Sequence, residues 1–293
     1  QLTLFPEIAK PLQGIFAANG FSHNGICSND ARMALEQRYG DLLEETDLFN
    51  RQLVSFQASK TEMLHGWIKY REGFSSQLVE RLMQEFVVAP GDCILDPFAG
   101  SCTTLLTAKM SGVDAVGIEL LPHCHLAWEA KSRAFDYDLA ELKQVQQMLT
   151  HDAPQPTGSS FPHLKITASA FPPDVEADLM AYSAWVETLP VSNNTRILLK
   201  LILTSILEDV SYTRKDGQYL RWDERADKLR ERNKQRMAQG NKPIQGIHKG
   251  DLPQVKDVIG RALDKIIVDI GRLQRQPPPQ SHQELIAGNT LTI

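Results

Sequence analysis

Two acidic side chains and the glycine-bearing loop between them are the residues of this chain best suited to hold a small polar ligand. Asp96 ends the apolar run Cys93-Ile94-Leu95-Asp96, and Pro97-Phe98-Ala99-Gly100-Ser101 leads from it into a helical stretch, Thr103 to Met110. A second apolar run, Ala115-Val116-Gly117-Ile118, ends at Glu119. Backbone N–H groups at the start of a helix carry partial positive charge and dock anionic groups. An acid closing the next strand accepts hydrogen bonds from ribose hydroxyls. Asp96 and Glu119 lie 23 positions apart, close to the roughly 20 of a nucleoside-binding βαβ half. The ligand-free alternative is a tight βα turn followed by a surface acid. No Gly-x-Gly-x-x-Gly is present, so nothing in the loop provides for a pyrophosphate.

These groups need strands and helices to hold them. Strand, tight loop, helix and second strand in so short a span predict a parallel pair joined by a right-handed crossover, with a second helix from about Pro122 to Arg133. Upstream, Phe74, Leu78, Leu82 and Phe86 recur at helical spacing after Ser75 and Ser76, either of which can cap the helix, and Pro90-Gly91-Asp92 ends it. Residues 1–52 form an N-terminal helical segment with Ala31, Leu35, Leu42 and Leu43 toward a core. Residues 53–133 are the cofactor-binding part. Residues 134–282 change character: helices such as Ile197 to Leu207 and Val255 to Leu273 alternate with Pro- and Gly-containing loops, and strand signals are scarce. Pro277-Pro278-Pro279 then makes a stiff link to 283–293, where Glu284 to Asn289 reads as a short strand that resumes the sheet. The expected class is α/β, a Rossmann-like half-sheet carrying a large helical insertion. No internal repeat is present.

Composition narrows little. Of 293 residues, 42% are hydrophobic and 23% charged, as in ordinary globular proteins. A net charge of -5 gives no global sign of nucleic-acid binding, so any such contact must be local. The four cysteines, Cys27, Cys93, Cys102 and Cys124, lack the paired spacing of a zinc site or disulfide framework and fit reduced thiols in a cytoplasm. No apolar run reaches the roughly 20 residues of a membrane span, and no basic-then-apolar leader opens the chain.

Asp96-Pro97-Phe98-Ala99-Gly100-Ser101-Cys102-Thr103-Thr104 resembles the cofactor motif Asp-Pro-Phe-Ala-Gly-Ser-Gly-Thr-Thr of the amino-group DNA methyltransferases, which make N6-methyladenine or N4-methylcytosine. The resemblance implies S-adenosyl-L-methionine as cofactor, with Asp96, Pro97, Phe98, Ala99, Gly100, Ser101, Thr103 and Thr104 around it. Gly117-Ile118-Glu119-Leu120 resembles the family's second motif, whose acid holds the ribose. Phe56 to Leu82 resembles the segment that closes over the methionine end, which implies roles for Lys60, for Phe74 against the cofactor and for Ser75 on its carboxylate. Trp67 and Tyr70 read more simply as core aromatics. Cys102 replaces the motif's second glycine, where a side chain narrows the backbone angles; a nucleophilic thiol there lacks a recognisable base. His123-Cys124-His125 suggests a metal, but consecutive helical residues do not converge on one ion.

Amino methylation needs a flipped base whose amine is gripped by oxygen acceptors under an aromatic ring. The family does this with Asp, Asn or Ser, then Pro-Pro and an aromatic residue. Phe171-Pro172-Pro173-Asp174 has the wrong ends, and the triple proline is flanked by glutamines. Leu285 to Asn289 resembles the motif one strand earlier, so the expectation is a truncated chain, a disrupted gene or one half of a split enzyme, inactive without a C-terminal catalytic half or partner subunit. The remaining readings are an RNA methyltransferase and a non-catalytic cofactor- or DNA-binding subunit. For DNA, local charge density in an otherwise acidic chain points to the basic stretch holding Arg214, Lys215, Arg221, Arg225, Arg232 and Arg236, with Tyr212, Tyr219 and Trp222 among them, and the resemblance strengthens that reading; its acids fit a solvated helical face equally well.

Overall fold

A computed structural model describes residues 29–42, 49–151, 154–155, 158, 161, 163–165, 167–216 and 219–291. The chain divides into two compact units, Gln1–Phe49 and Asn50–Ile293. In the first, helix α1 (Asn29–Tyr39) runs into a 3-10 turn, Gly40–Leu42. Leu35 is half-buried, but Leu42, expected in a core, is 71% exposed; Leu43 and the side chain of Ala31 lie outside the described residues.

The second unit opens with two 3-10 turns, Ala58–Lys60 and His65–Trp67, and helix α2 (Ser76–Glu85). The Ser75 hydroxyl accepts the N–H of Leu78 and caps α2. That helix buries Ser76, Val79 and Met83, while Leu82 and Phe86 of the expected apolar stripe face solvent. The difference is one of rotation: Val79 and Met83 also repeat at i, i+4, and packing chose between two half-apolar faces.

Strand β1 (Cys93–Asp96), helix α3 (Thr103–Met110), strand β2 (Asp114–Glu119) and helix α4 (Pro122–Ser132) follow within one residue of their expected limits. Next come helices α5 (Leu139–His151), α6 (Pro173–Thr188) and α7 (Asn193–Ile206). Pro172-Pro173 enters α6 at its first helical position, where a missing N–H costs nothing. Strands β3 (Thr213–Asp216) and β4 (Tyr219–Trp222) then form an antiparallel hairpin inside the stretch expected to be helical. Helices α8 (Asp227–Ala238) and α9 (Val255–Leu273) and strand β5 (Gln283–Ala287) complete the order.

The main sheet is β1-β2-β5, parallel throughout, with β2 in the middle. Cys93 faces Asp114 and Asp96 faces Gly117 across the first pair; Glu119 faces Ala287 across the second. Val79, Met83, Leu105, Ala108 and Ala115 pack one core beside this sheet. A larger core belongs to the helices, where Leu142, Leu198, Ile202, Leu263 and Ile270 are fully enclosed. Trp67 joins it and donates its indole N–H to Asp269 at 2.9 Å, tying the 3-10 segment to α9. No described helix is long and apolar enough to cross a membrane.

Candidate functional site

The loop after β1 is pinned by Asp96 at both ends. One carboxylate oxygen accepts the N–H of Phe98 at 3.1 Å and the other the hydroxyl of Thr104 at 2.6 Å, on the first turn of α3. Gly100 (φ 52°) and Cys102 (φ 62°) both take left-handed backbone. Gly100 needs its missing side chain for a second reason: a Cβ there would come within 2.8 Å of the Tyr70 ring. Its N–H donates to Glu119 Oε2 at 2.7 Å, and those of Leu120 and Leu121 donate to Oε1 at 2.8 Å each. From β5, the N–H of Gly288 donates to the Glu119 carbonyl at 3.0 Å, and the Thr290 hydroxyl donates to the carbonyl of Pro97. All three strands thus deliver their carboxyl ends to one spot, where open parallel sheets bind ligands. Glu119 is half-buried there, beside Phe98 (74% exposed) and Leu120 (63% exposed), while Ala99, Gly100, Ser101, Thr103 and Thr104 are buried beneath and Pro97 is half-buried.

Behind the loop lies a cluster of titratable side chains, in which Lys131 and His65 join Cys102 and Tyr70. Lys131 of α4 is 1% exposed and donates to the Ser101 carbonyl at 3.2 Å. Burial pulls its amine down to about 8, against the opposing pull of Cys102 and Cys124. Burial, reinforced by the Lys131 charge, holds His65 down at about 3, so its imidazole is neutral. Burial pushes the Cys102 thiol up to about 12, which leaves no thiolate for nucleophilic work at neutral pH. Tyr70 covers the loop and is pushed up to about 12, first by burial and then by Cys124 and Glu119. Half-buried against Gly100, it borders the site more closely than the reading as a core aromatic allows.

The other expected residues are placed differently. Phe74 packs against the sheet core. Ser75 is fully buried; besides capping α2, its hydroxyl donates to the Leu53 carbonyl at 2.8 Å. The Lys60 amine donates to Gln57 at 2.5 Å, and Lys60 lines a cleft that includes none of the loop residues. His125 bonds the Glu119 carbonyl at 2.9 Å, and Cys124 is fully buried.

The basic stretch splits among several tasks. Lys215 pairs with Glu72, and Arg221 with Asp216 at 2.5 Å. Arg225 clamps the buried carboxylate of Asp223 through two nitrogens at 2.8 and 3.0 Å and holds that acid far below the usual carboxylate range. Arg236 donates to the Lys242 carbonyl at 2.9 Å. Arg214, on β3, and Arg232, on α8, are exposed.

Residues 29–129 match the model of the DNA methylase family. The chain is 47% identical over 273 residues to the Type II methyltransferase M.BsoBI of Geobacillus stearothermophilus, covering 92% of this chain and 54% of that one. It is 37% identical over 200 residues to the Type II methyltransferase M.AvaI of Nostoc sp., covering 66% and 40%. A shorter likeness, 36% over 86 residues, joins it to the Type II methyltransferase M.MjaII of Methanocaldococcus jannaschii. The chain thus spans about half the length, or less, of the curated relatives it matches. No solved structure matches it. On these matches the chain belongs to the amino-group DNA methylase family.

Proposed function

We propose that this chain is the S-adenosylmethionine-binding part of a site-specific DNA methyltransferase that modifies an exocyclic amine, N6 of adenine or N4 of cytosine, as the modification member of a restriction–modification pair. One observation carries the reading: Gly100 N–H and the Glu119 carboxylate meet at the carboxyl ends of three parallel strands beside an open apolar surface. A carboxylate offers about four acceptor positions. Three N–H groups occupy Glu119, which leaves room for a ribose hydroxyl. Phe98 and Leu120, exposed on either side, offer an apolar bed for an adenine ring. The residues present therefore fit the cofactor, which when bound would supply an electrophilic methyl group on sulfur. In this reading Asp96, Pro97 and Thr104 fix the loop; Ala99, Ser101 and Thr103 form its buried floor; Phe74, Ser75 and Lys60 belong to the segment that closes over the methionine end, Ser75 chiefly by setting the start of α2.

We place a Rossmann-like cofactor part at 53–133, resumed at 283–293, with 134–282 as a largely helical insertion that reads the target and 1–52 as a separate helical segment. DNA contact falls to Arg214 and Arg232, exposed and outside the ion pairs of the described residues, with Arg236 at the end of the stretch. The amine-gripping motif is not among these residues, so a C-terminal half or a partner subunit in the same cytoplasm supplies it. The DNA rather than RNA reading is favoured by the match of residues 29–129 to the DNA methylase family.

Calorimetry with S-adenosylhomocysteine, the demethylated product, tests the site. Glu119→Ala should weaken binding by about 1.5–3 kcal/mol, the range for hydrogen bonds to a charged group. Unchanged affinity in a folded variant would remove Glu119 from the site and the reading with it.

A further inference from the structure

Away from the cofactor loop, three parts of the second unit enclose a cleft of about 780 Å³. Its walls are the 55–71 segment, the end of α7 with the hairpin strand β3, and one face of α9. Five cationic side chains line it, Lys60, Lys69, Arg71, Arg261 and Lys265, against two carboxylates, Asp209 and Asp216. In a chain of net charge -5 this is a local reversal of sign. Some of that charge is spent: Lys69 pairs with Asp209 at 2.5 Å, and Arg71 pairs with Glu208. Arg261 and Lys265, one turn apart on α9, meet no carboxylate in the ion pairs of the described residues.

Lys265 is set in place by the backbone. Its ammonium lies 3.4 Å from the carbonyls of Lys60 and Gly66, and a Cβ on Gly66 would come within 2.7 Å of Nζ. Glycine at 66 keeps this notch open, so a long flexible side chain is held with its charge toward the cleft. The cleft also adjoins the cofactor site through the chain itself, because Arg71 on its wall follows Tyr70, which covers Gly100. On its other side Arg71 donates to the Lys215 carbonyl, joining the wall to the strand that bears exposed Arg214.

We infer that this cleft binds the sugar-phosphate backbone of duplex DNA, with Arg261 and Lys265 as its phosphate contacts. The inference rests on the DNA methyltransferase reading and adds to it a second element, helix α9, outside the basic stretch. A polyanion laid through the cleft toward the hairpin passes the segment that covers the cofactor loop, which is the path a substrate strand requires.

Fluorescence anisotropy with a labelled duplex, read across salt concentrations on the whole chain, tests this. Each lost phosphate contact lowers the slope of log affinity against log salt by about 0.9. Arg261→Ala with Lys265→Met should lower it by about 1.8 and weaken binding about tenfold or more, while S-adenosylhomocysteine affinity stays unchanged. Lys265→Met keeps the aliphatic stem and so the fold. The charge-matched control Lys143→Ala with Arg275→Ala, both exposed and outside the cleft, should leave the slope alone. An unchanged slope in the cleft variant, or an equal fall in the control, overturns the proposal. So does a cleft that takes inorganic phosphate or free nucleotide while the duplex is unaffected, or one that prefers duplex RNA. Wild-type chain that binds S-adenosylhomocysteine but no DNA sinks the cleft and spares the cofactor site; chain that binds neither sinks both.

Discussion

Lys131→Met should stabilise the protein at neutral pH, although it deletes a hydrogen bond. The Lys131 amine is enclosed under the Asp96 loop with a carbonyl as hydrogen-bond partner, and burial brings its pKa to about 8 from an ordinary 10.5. A difference of 2.5 units corresponds to roughly 3 kcal/mol at 1.36 kcal/mol per unit. Below about pH 8 folded and unfolded chains both carry the proton, and the folded state bears that full penalty. Between about 8 and 10.5 the unfolded chain holds a proton the folded chain has released, so rising pH favours folding; above 10.5 the penalty is gone. Methionine fills similar volume with no charge, at the expense of an unpaired Ser101 carbonyl worth about 1–2 kcal/mol. The variant should therefore be more stable by about 1–2 kcal/mol at pH 7, and the wild type should regain about 3 kcal/mol on it by pH 10.5. Urea denaturation of both proteins from pH 7 to 10.5 reads the difference directly. Tyr70 acts in both curves and drops out of the subtraction; Cys102 and Cys124 feel the Lys131 charge, but burial pushes them up to about 12 and about 11, so both stay largely protonated in the folded chain over this range. Parallel curves, or a variant less stable at pH 7, would mean that the Lys131 charge is well solvated or well paired and that the reasoning is wrong.

Cys102→Gly should stay within about 1 kcal/mol of wild type, since relief of a left-handed side chain, about 1–2 kcal/mol, offsets lost burial and added unfolded-state freedom. Cys102→Val, β-branched in that same backbone and overpacked, should lose about 2–4 kcal/mol in urea melts; equal losses in the two variants would deny the strain. His65, held neutral at about 3, should make the protein lose stability as pH falls from 6.5 toward 3, because the unfolded chain gains a proton that the folded one refuses. His65→Phe should flatten that acid limb, and an unaltered limb would place its cause elsewhere. Purified 1–293 polypeptide should transfer no radiolabelled methyl to DNA; incorporation abolished by Asp96→Ala would show that an amine-gripping group here has been overlooked.

Legibility in the sequence followed locality. The Asp96 loop, α3 and β2 could be read because a few adjacent residues dictate strand, turn and helix, and Val255–Leu273 because its apolar period persists for five turns. The hairpin was hidden: Thr213-Arg214-Lys215-Asp216 has no apolar alternation, and its register is held by Ser211, Glu208 and Asp223 rather than by burial. For α2, two apolar stripes competed and the sequence alone could not rank them. Lys131 was beyond reach for a different reason, since a buried cation is a property of what surrounds it. Tyr70 likewise joins the loop only across a fold-level contact, and Thr290 meets Pro97 from 193 positions away. The glycine at 100 hinted at close approach, but not by what.

The pairing of β2 with β5 joins segments 168 positions apart at its first contact, His282 with Asp114. Closing so long a loop costs roughly 4–5 kcal/mol of chain entropy, offset only when the intervening helices have already collapsed around their own core and brought the ends together. The strand that completes the sheet beside the Asp96 loop is thus the last to have a reason to dock. During synthesis the Asp96 loop waits, without Gly288 and Thr290, until the residues that follow α9 have emerged. Completion of the Asp96 loop's surroundings is in effect a late checkpoint on folding: a chain stalled or misfolded anywhere between α4 and α9 presents the loop sequence without the contacts of Gly288 and Thr290.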